Sequence, residues 1–233
     1  MEEFLRSNYI ILSLSIEGLA AIIAIICYRK YKLTVAKFFL YFLVYIFICE
    51  ILNTYTHQII EGPLYFLEDT VFEKNHWWTT LFWNIGSVLF FSFFYHNLVE
   101  KDKFKKLIKW MCIGFLVLAV FIISTNFSQY FQAMFPSLLI AGGLVVLTCV
   151  CLYFYELLQS DKILNFYKSI YFYISTTIFV WWLITTPIIF YDVYFTTADW
   201  NFIILKWQIF LFANMFMYLT FSFALLWCKP ETH

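Results

Sequence analysis

The sequence predicts an all-α membrane protein, a bundle of seven transmembrane helices that forms one polytopic domain over residues 1–233. Three observations support this fold class: seven apolar runs, basic residues concentrated in alternate links, and no link long enough to build a soluble core. A helix needs about 20 apolar residues to cross a hydrocarbon core of about 30 Å. The predicted spans are 8–27, 38–58, 78–98, 107–125, 137–157, 169–190 and 202–227.

The basic residues predict the orientation of the bundle. Because short cytoplasmic loops are enriched in Lys and Arg, we place the N-terminus outside and the C-terminus in the cytoplasm. The zero net charge then hides a positive inner face, which we attribute to topology and to attraction by anionic headgroups rather than to nucleic acid. The inner residues are Arg29, Lys30, Lys32, Lys37, Lys101, Lys103, Lys105, Lys106, Lys109, Lys162, Lys168 and Lys229, and the outer ones are Arg6, Lys74 and Lys206.

The first two spans each carry one carboxylate. Glu17 lies about 13 Å below the outer edge of the first span, and Glu50 lies at a similar height in the second. Ionisable groups inside a bilayer are costly and mark functional sites by default. If the two antiparallel helices are adjacent, these carboxylates could share a proton, which suits a proton relay or a site for a cationic ligand.

A polar face follows Glu50 along the second span. Asn53 and His57 come three and seven residues later, on the same face of a regular helix. Asn84, about 9 Å below the outer edge of the third span, could join them in a polar cavity open to the outside. The alternative is a neutral Glu50 that only takes part in interhelical hydrogen bonds. The candidates for ligand or proton binding are Glu17, Glu50, Asn53, His57 and Asn84.

The later spans differ in their small residues and helix breakers. The fourth follows the lysine-rich link, and Gly142 and Gly143 permit close helix approach in the fifth. Pro187 predicts a kink in the sixth span, either structural or acting as a hinge. Asn214, near mid-depth in the seventh span, is predicted to clamp two helices together.

Two further patterns carry structural predictions. In the outer link over residues 63–77, apolar residues recur at roughly helical spacing opposite three acids, which predicts a short amphipathic helix on the membrane surface. Asn84 and Asn214 are each followed five residues later by Leu-x-Phe-Ser-Phe, which suggests a parallel 3+1+3 helix repeat.

No motif for an enzyme is visible. The four histidines are too few for a membrane di-iron desaturase, and no His-Glu-x-x-His is present. Lys206 lies only about 6 Å inside the outer edge, so a retinal protein is not expected. We therefore expect no catalytic activity, no cofactor and no metal.

Two segments carry a resemblance to a known group. Residues 155–165, Tyr-Glu-Leu-Leu-Gln-Ser-Asp-Lys-Ile-Leu-Asn, lead into an aromatic sixth span, and Asn214-Met-Phe-Met-Tyr218 precedes Phe221 and Trp227-Cys228-Lys229. Here the chain resembles uncharacterised seven-helix proteins of Bacteroidota, which are similar to membrane modules of bacterial sensor kinases. The resemblance implies a multi-pass protein of the bacterial inner membrane and, by analogy, a signalling role. It carries over no functional residue.

Three functions stay open at this point. The first is a sensory or partner subunit in the lipid bilayer, with an outward polar pocket and an output through another protein such as a sensor kinase. The chain could also form a homo-oligomer. The second is a small-solute transporter, and the third is a structural accessory subunit. The docking surface expected for the first consists of Lys101, Lys103, Lys105, Lys106 and Lys109.

Overall fold

The computed structural model describes residues 8–194 and 200–230, except for the side chains of residues 60, 61, 191–194, 200 and 201. Every regular element in these ranges is helical. Short 3₁₀ turns cover Thr54–Thr56, Tyr65–Leu67 and Asp161–Lys168, and a π-helix covers Thr79–Ile85. The α-helices are α1 (Tyr9–Tyr31), α2 (Ala36–Asn53), α3 (His57–Glu61), α4 (His76–Trp78), α5 (Gly86–Leu98), α6 (Asp102–Thr125), α7 (Phe127–Gln132), α8 (Pro136–Leu158), α9 (Ile170–Tyr194) and α10 (Trp200–Trp227).

Six helical stretches among the described residues are long and apolar enough to cross a membrane: Tyr9–Tyr31, Ala36–Ile59, Asp102–Thr125, Pro136–Leu158, Ile170–Phe190 and Phe202–Trp227. Large apolar side chains stay exposed along them, for example Ile25 and Ile26 in α1 and Val120 and Phe121 in α6. Exposed apolar surface of this extent is suited to lipid rather than water. The prediction of an all-α membrane fold is confirmed.

The third predicted span forms a helical run in three pieces. Helix α4, the π-helix and α5 follow one another from His76 to Leu98 without a break. Because the π-helix interrupts the run, no single α-helix in it is long enough to span a bilayer. The seventh crossing and the orientation stay predictions.

The chain forms two compact units. Unit 1 comprises residues Met1–Phe47 and Val150–His233, and unit 2 comprises Ile48–Cys149. These units do not coincide with the three-helix halves of the 3+1+3 repeat. The repeat, like the single domain over 1–233, stays a prediction.

In unit 1, α10 packs against both α1 and α9. Small side chains line the contact faces, with Ala20, Ala21 and Ala24 buried in α1 and Ala224 buried in α10. Small residues let helix backbones approach closely, which is the usual basis of helix association in lipid.

The end of α10 is capped by side chains from α1. Lys30 Nζ donates to the carbonyls of Leu225 and Leu226 at 2.9 and 3.0 Å. The buried Tyr31 hydroxyl lies 2.8 Å from the Cys228 carbonyl and 3.2 Å from that of Leu225. The last carbonyls of a helix have no partner within it, and α10 has no basic residue in its own last turn. Helix α1 therefore supplies the cation that favours this terminus.

In unit 2, α8 approaches α5 and α6 closely at Gly142. A Cβ atom placed on Gly142 would lie 2.8 Å from Val88 Cγ2 and 3.4 Å from the Phe115 ring. Any larger residue would therefore push these helices apart, which explains the glycine predicted to allow close approach.

The prediction of an amphipathic helix over residues 63–77 is wrong. Only the 3₁₀ turn at Tyr65–Leu67 is helical before His76, and Asp69 adopts a left-handed φ of 60°. The Thr70 hydroxyl donates to the Leu67 carbonyl at 2.6 Å, and the Asp69 N–H donates to Glu73 Oε2 at 3.2 Å. Such local bonds compete with the helical ladder. The segment therefore folds as consecutive turns.

Candidate functional site

A chain of polar side chains joins the end of α2 to the π-helix in unit 2. Asn53 Nδ2 donates to Glu50 Oε2 at 3.3 Å, and the Thr79 hydroxyl donates to Asn53 Oδ1 at 3.5 Å. Asn75 Nδ2 donates to the Asn53 backbone carbonyl at 3.3 Å. We name these four residues, Glu50, Asn53, Asn75 and Thr79, the Glu50 cluster. Its central member is Asn53, whose amide bonds on both sides.

Trp78, one residue before the π-helix, joins this part of the chain to α2. The Trp78 indole N–H donates to the Cys49 carbonyl at 3.1 Å, and the Trp78 ring lies 4.2 Å from that of Phe82. Glu50 is half-buried in an apolar helix beside them. A carboxyl group there is costly to ionise unless a cation or further donors accompany it. The arrangement therefore suits a carboxylic acid that exchanges a proton, or a carboxylate that meets a cation.

The π-helix contributes two buried polar side chains. Thr80 is fully buried and Asn84 is 7% exposed, and neither Thr80 Oγ1 nor Asn84 Nδ2 makes a hydrogen bond. An unsatisfied buried group costs about 1–3 kcal/mol, so native proteins contain few of them. π-helical segments are rare and are frequently found at functional sites.

His76 lies at the start of the same helical run. Its Nδ1 atom is buried and makes no hydrogen bond. Burial lowers the pKa of His76 from its ordinary value, and the nearby Lys74 charge lowers this pKa further. The imidazole is therefore neutral at pH 7.

Two tyrosine hydroxyls bind backbone carbonyls where the 62–75 link meets α4. The Tyr55 hydroxyl lies 2.7 Å from the Phe72 carbonyl and 3.0 Å from the Lys74 carbonyl, and it accepts a 3.2 Å bond from Trp77 Nε1. The Tyr130 hydroxyl donates to the Trp77 carbonyl at 3.0 Å. Burial raises the pKa of Tyr130, so its phenol stays a donor. Both roles were missed in the sequence, where nothing distinguishes these tyrosines from interfacial aromatics.

The remaining ligand candidates, His57 and Glu17, belong to α3 and α1. His57 is exposed on α3 and makes no hydrogen bond to Glu50 or Asn53. Glu17 is buried in α1 of unit 1, with 7% of its surface exposed, next to Gly18, which packs against the Phe47 ring. Glu50 belongs to unit 2. Proton sharing between the two carboxylates stays a prediction.

The predicted clamp and hinge residues lie in unit 1. Trp181 Nε1 in α9 donates to Asn214 Oδ1 in α10 at 2.8 Å. Pro187 lies inside α9, and the buried Thr185 hydroxyl donates to the Trp181 carbonyl at 2.9 Å. The Asn214 side chain thus forms a hydrogen bond between two helices, which is the clamp expected of it. The hinge at Pro187 stays a prediction.

The predicted docking lysines occupy the start of α6. Lys103, Lys106 and Lys109 are exposed, and Lys101 Nζ lies 5.5 Å from the Phe104 ring centroid. Positive charge at a helix N-terminus opposes the helix dipole, and Asp102 is the one acid in the first turn. The exposed lysines suit binding to anionic headgroups or to an acidic partner.

Within residues 8–194 and 200–230, no three His, Cys, Asp or Glu side chains are grouped so as to hold a metal ion. No protein-family model, curated protein or solved structure matches this chain. The six helices among the described residues that are long and apolar enough to cross a bilayer indicate a multi-pass membrane protein. The resemblance to Bacteroidota proteins and the inner-membrane location stay predictions.

Proposed function

We propose that this protein is a sensory or partner subunit whose ligand- or proton-responsive site is the Glu50 cluster. The observation that carries the proposal is the Asn53 amide, which bonds Glu50 on one side and Thr79 of the π-helix on the other. A change of charge at Glu50 would alter one of these two bonds and thereby reach the π-helix.

The proposal includes a seventh crossing over residues 78–98. Its 21 residues span about 30 Å at roughly 1.5 Å per residue, which is enough for a hydrocarbon core. With this crossing, the lysines at the start of α6 lie on the same side as the basic residues after α1. That arrangement supports an outside N-terminus and a cytoplasmic C-terminus.

The π-helix supplies an element with two arrangements. Conversion of a π segment to α-helix shifts the register of the residues that follow, because the hydrogen bonds change from i→i+5 to the α pattern. Here α5 follows the π-helix directly, and the lysine-rich link follows α5. A change at Glu50 would therefore reach the end of α5, which leads directly into the link before the docking lysines of α6, as a local charge change with a distant output.

A small-solute transporter is the second candidate. The observation that favours it is the pair of buried polar side chains, Thr80 and Asn84, in the interior of a predicted span. Transporters place polar groups at interrupted helices near the midplane. A structural accessory subunit would need neither these groups nor an ionisable Glu50.

The test is lysine-directed crosslinking in the native membrane, followed by mild-detergent purification and mass spectrometry, on wild type and Glu50→Gln. We expect a stoichiometric partner linked at Lys103, Lys106 or Lys109, and a changed crosslinking yield in Glu50→Gln at equal expression. Glu68→Gln, in the exposed link, is the matched control. Recovery of the chain alone from both proteins would overturn the partner function, and uptake assays with Glu50→Gln would then test transport.

A further inference from the structure

Three buried polar atoms recur at every fourth residue along one helical run. They are His76 Nδ1, Thr80 Oγ1 and Asn84 Nδ2, and none of them makes a hydrogen bond with the protein. Residues four apart lie on the same face of a helix. We propose that these atoms bind a file of ordered water molecules, which runs inside unit 2 from His76 to the depth of Asn84.

The spacing fits one water per gap. Four residues advance an α-helix by about 6 Å, and the π-helix shortens this a little. A water molecule that bonds an atom on either side bridges roughly 5.6 Å, since each bond is about 2.8 Å long. Polar side chains at 76, 80 and 84 are thus too far apart to bond each other and well spaced for single waters.

The chemistry of the three atoms also suits water. The Thr80 hydroxyl both donates and accepts, and the Asn84 amide nitrogen donates, so waters can satisfy them in sequence. Buried waters in proteins typically bond about three otherwise unsatisfied polar groups. Thr80 and Asn84 are more than nine-tenths buried, so bulk solvent cannot satisfy them.

The file ends at Asn84. Four residues further along this face lies the buried side chain of Val88, which offers a water molecule no partner, and the Ser87 hydroxyl donates to the Asn84 carbonyl at 3.3 Å. At the other end, Asn75 and Thr79 belong to the Glu50 cluster, so the file runs beside that cluster without depending on what the cluster binds.

The first test is the sign of the stability change in Thr80→Val, which replaces a hydroxyl by a methyl of the same shape. If water occupies the file, the waters next to residue 80 lose a hydrogen-bond partner in the variant, and the Tm in detergent falls by roughly 2–4 °C. If Thr80 is dry, the variant removes an unsatisfied hydroxyl and the Tm rises. Thr220→Val, at a half-buried threonine of α10 whose hydroxyl bonds its own helix, is the control and should change the Tm little.

The second test measures water access directly. In purified protein, Thr80→Cys should react with a small charged methanethiosulfonate at least about tenfold faster than Leu81→Cys, because only a hydrated thiol ionises. Leu81 is 41% exposed on the neighbouring apolar surface and is the matched control. The rate at each position is read by mass shift of its peptide, which separates it from the native cysteines. Equal protection of both thiols, or a raised Tm in Thr80→Val, would overturn the proposal.

Discussion

The indole N–H of Trp181 donates a 2.8 Å hydrogen bond to the side-chain oxygen of Asn214, and this bond joins α9 to α10. Ile178 in α9 and Met217 in α10 are buried close by in sequence. Interhelical hydrogen bonds in membrane proteins contribute modestly, because the unfolded helices also find partners in the membrane. The pair therefore sets the register of the two helices more than their total stability.

Removal of this bond should have a small and specific effect. We expect Asn214→Leu and Trp181→Phe each to destabilise the protein by about 0.6–1.7 kcal/mol, and the double variant by less than the sum. Thermal unfolding in detergent measures all three. Trp182→Phe is the control, since the Trp182 ring packs against Trp181 but does not bond Asn214. Full additivity would contradict a direct interaction.

The lowered pKa of His76 predicts a pH-dependent stability. Because the folded protein binds this proton less readily than the unfolded chain, the stability conferred by neutral His76 is complete above about pH 6.5 and is lost as the pH falls through the lowered pKa. The Tm in detergent should therefore drop on acidification below pH 6.5. His76→Asn should show a shallower drop, whereas His57→Asn, at an exposed position, should keep the wild-type profile. Identical profiles for wild type and His76→Asn would exclude this assignment.

Tyr55 should hold the 62–75 link in place. Its hydroxyl lies within hydrogen-bond distance of the carbonyls of Phe72 and Lys74, so Tyr55→Phe leaves these carbonyls without that donor. We expect faster hydrogen exchange at the amides of residues 70–75, with little change elsewhere, because the loss is local. Tyr65→Phe serves for comparison, since Tyr65 is 70% exposed. Equal amide exchange rates at residues 70–75 in Tyr55→Phe and Tyr65→Phe would show that Tyr55 does not hold the link.

Lys30 should stabilise the last turn of α10. Its ammonium group bonds two carbonyls there, and a cation at a helix C-terminus contributes about 0.3–1 kcal/mol, or more when partly buried. Lys30→Met keeps most of the aliphatic stem and should lower stability by that amount, with faster exchange of amides near residue 227. The exposed Lys32→Met should be neutral. Equal stability of the two variants would remove the capping role.

The apolar runs were sufficient to predict most of the fold, because span length and hydrophobicity are properties of contiguous sequence. The π-helix at Thr79–Ile85 could not be predicted this way. A π turn depends on how its side chains pack and on the bonds at Thr79, and the order of residues along the segment does not reveal either. The run from His76 to Leu98 consequently reads in the sequence as an uninterrupted helix.

The candidate site was predicted in part. Glu50 and Asn53 are three residues apart inside α2, and their side chains bond as the helical spacing predicts. His57 is four residues beyond Asn53, but the 3₁₀ turn at Thr54–Thr56 intervenes. At 3.0 rather than 3.6 residues per turn, three residues rotate the following chain by roughly 60°. His57 therefore does not share the helix face of Glu50 and Asn53, although a regular α-helix over these seven residues would place it there.

The cap on α10 has a consequence for how the chain is made. The carbonyls of Leu225 and Cys228 accept hydrogen bonds from Lys30 and Tyr31, which are synthesised almost 200 residues earlier. Unit 2 is one contiguous stretch and can complete its contacts while translation continues, whereas unit 1 cannot close until α10 has entered the membrane. Helix α1 must therefore remain in the bilayer without its α10 partner until the end of translation. A ribosome that stalls before α10 would leave unit 2 folded and unit 1 incomplete.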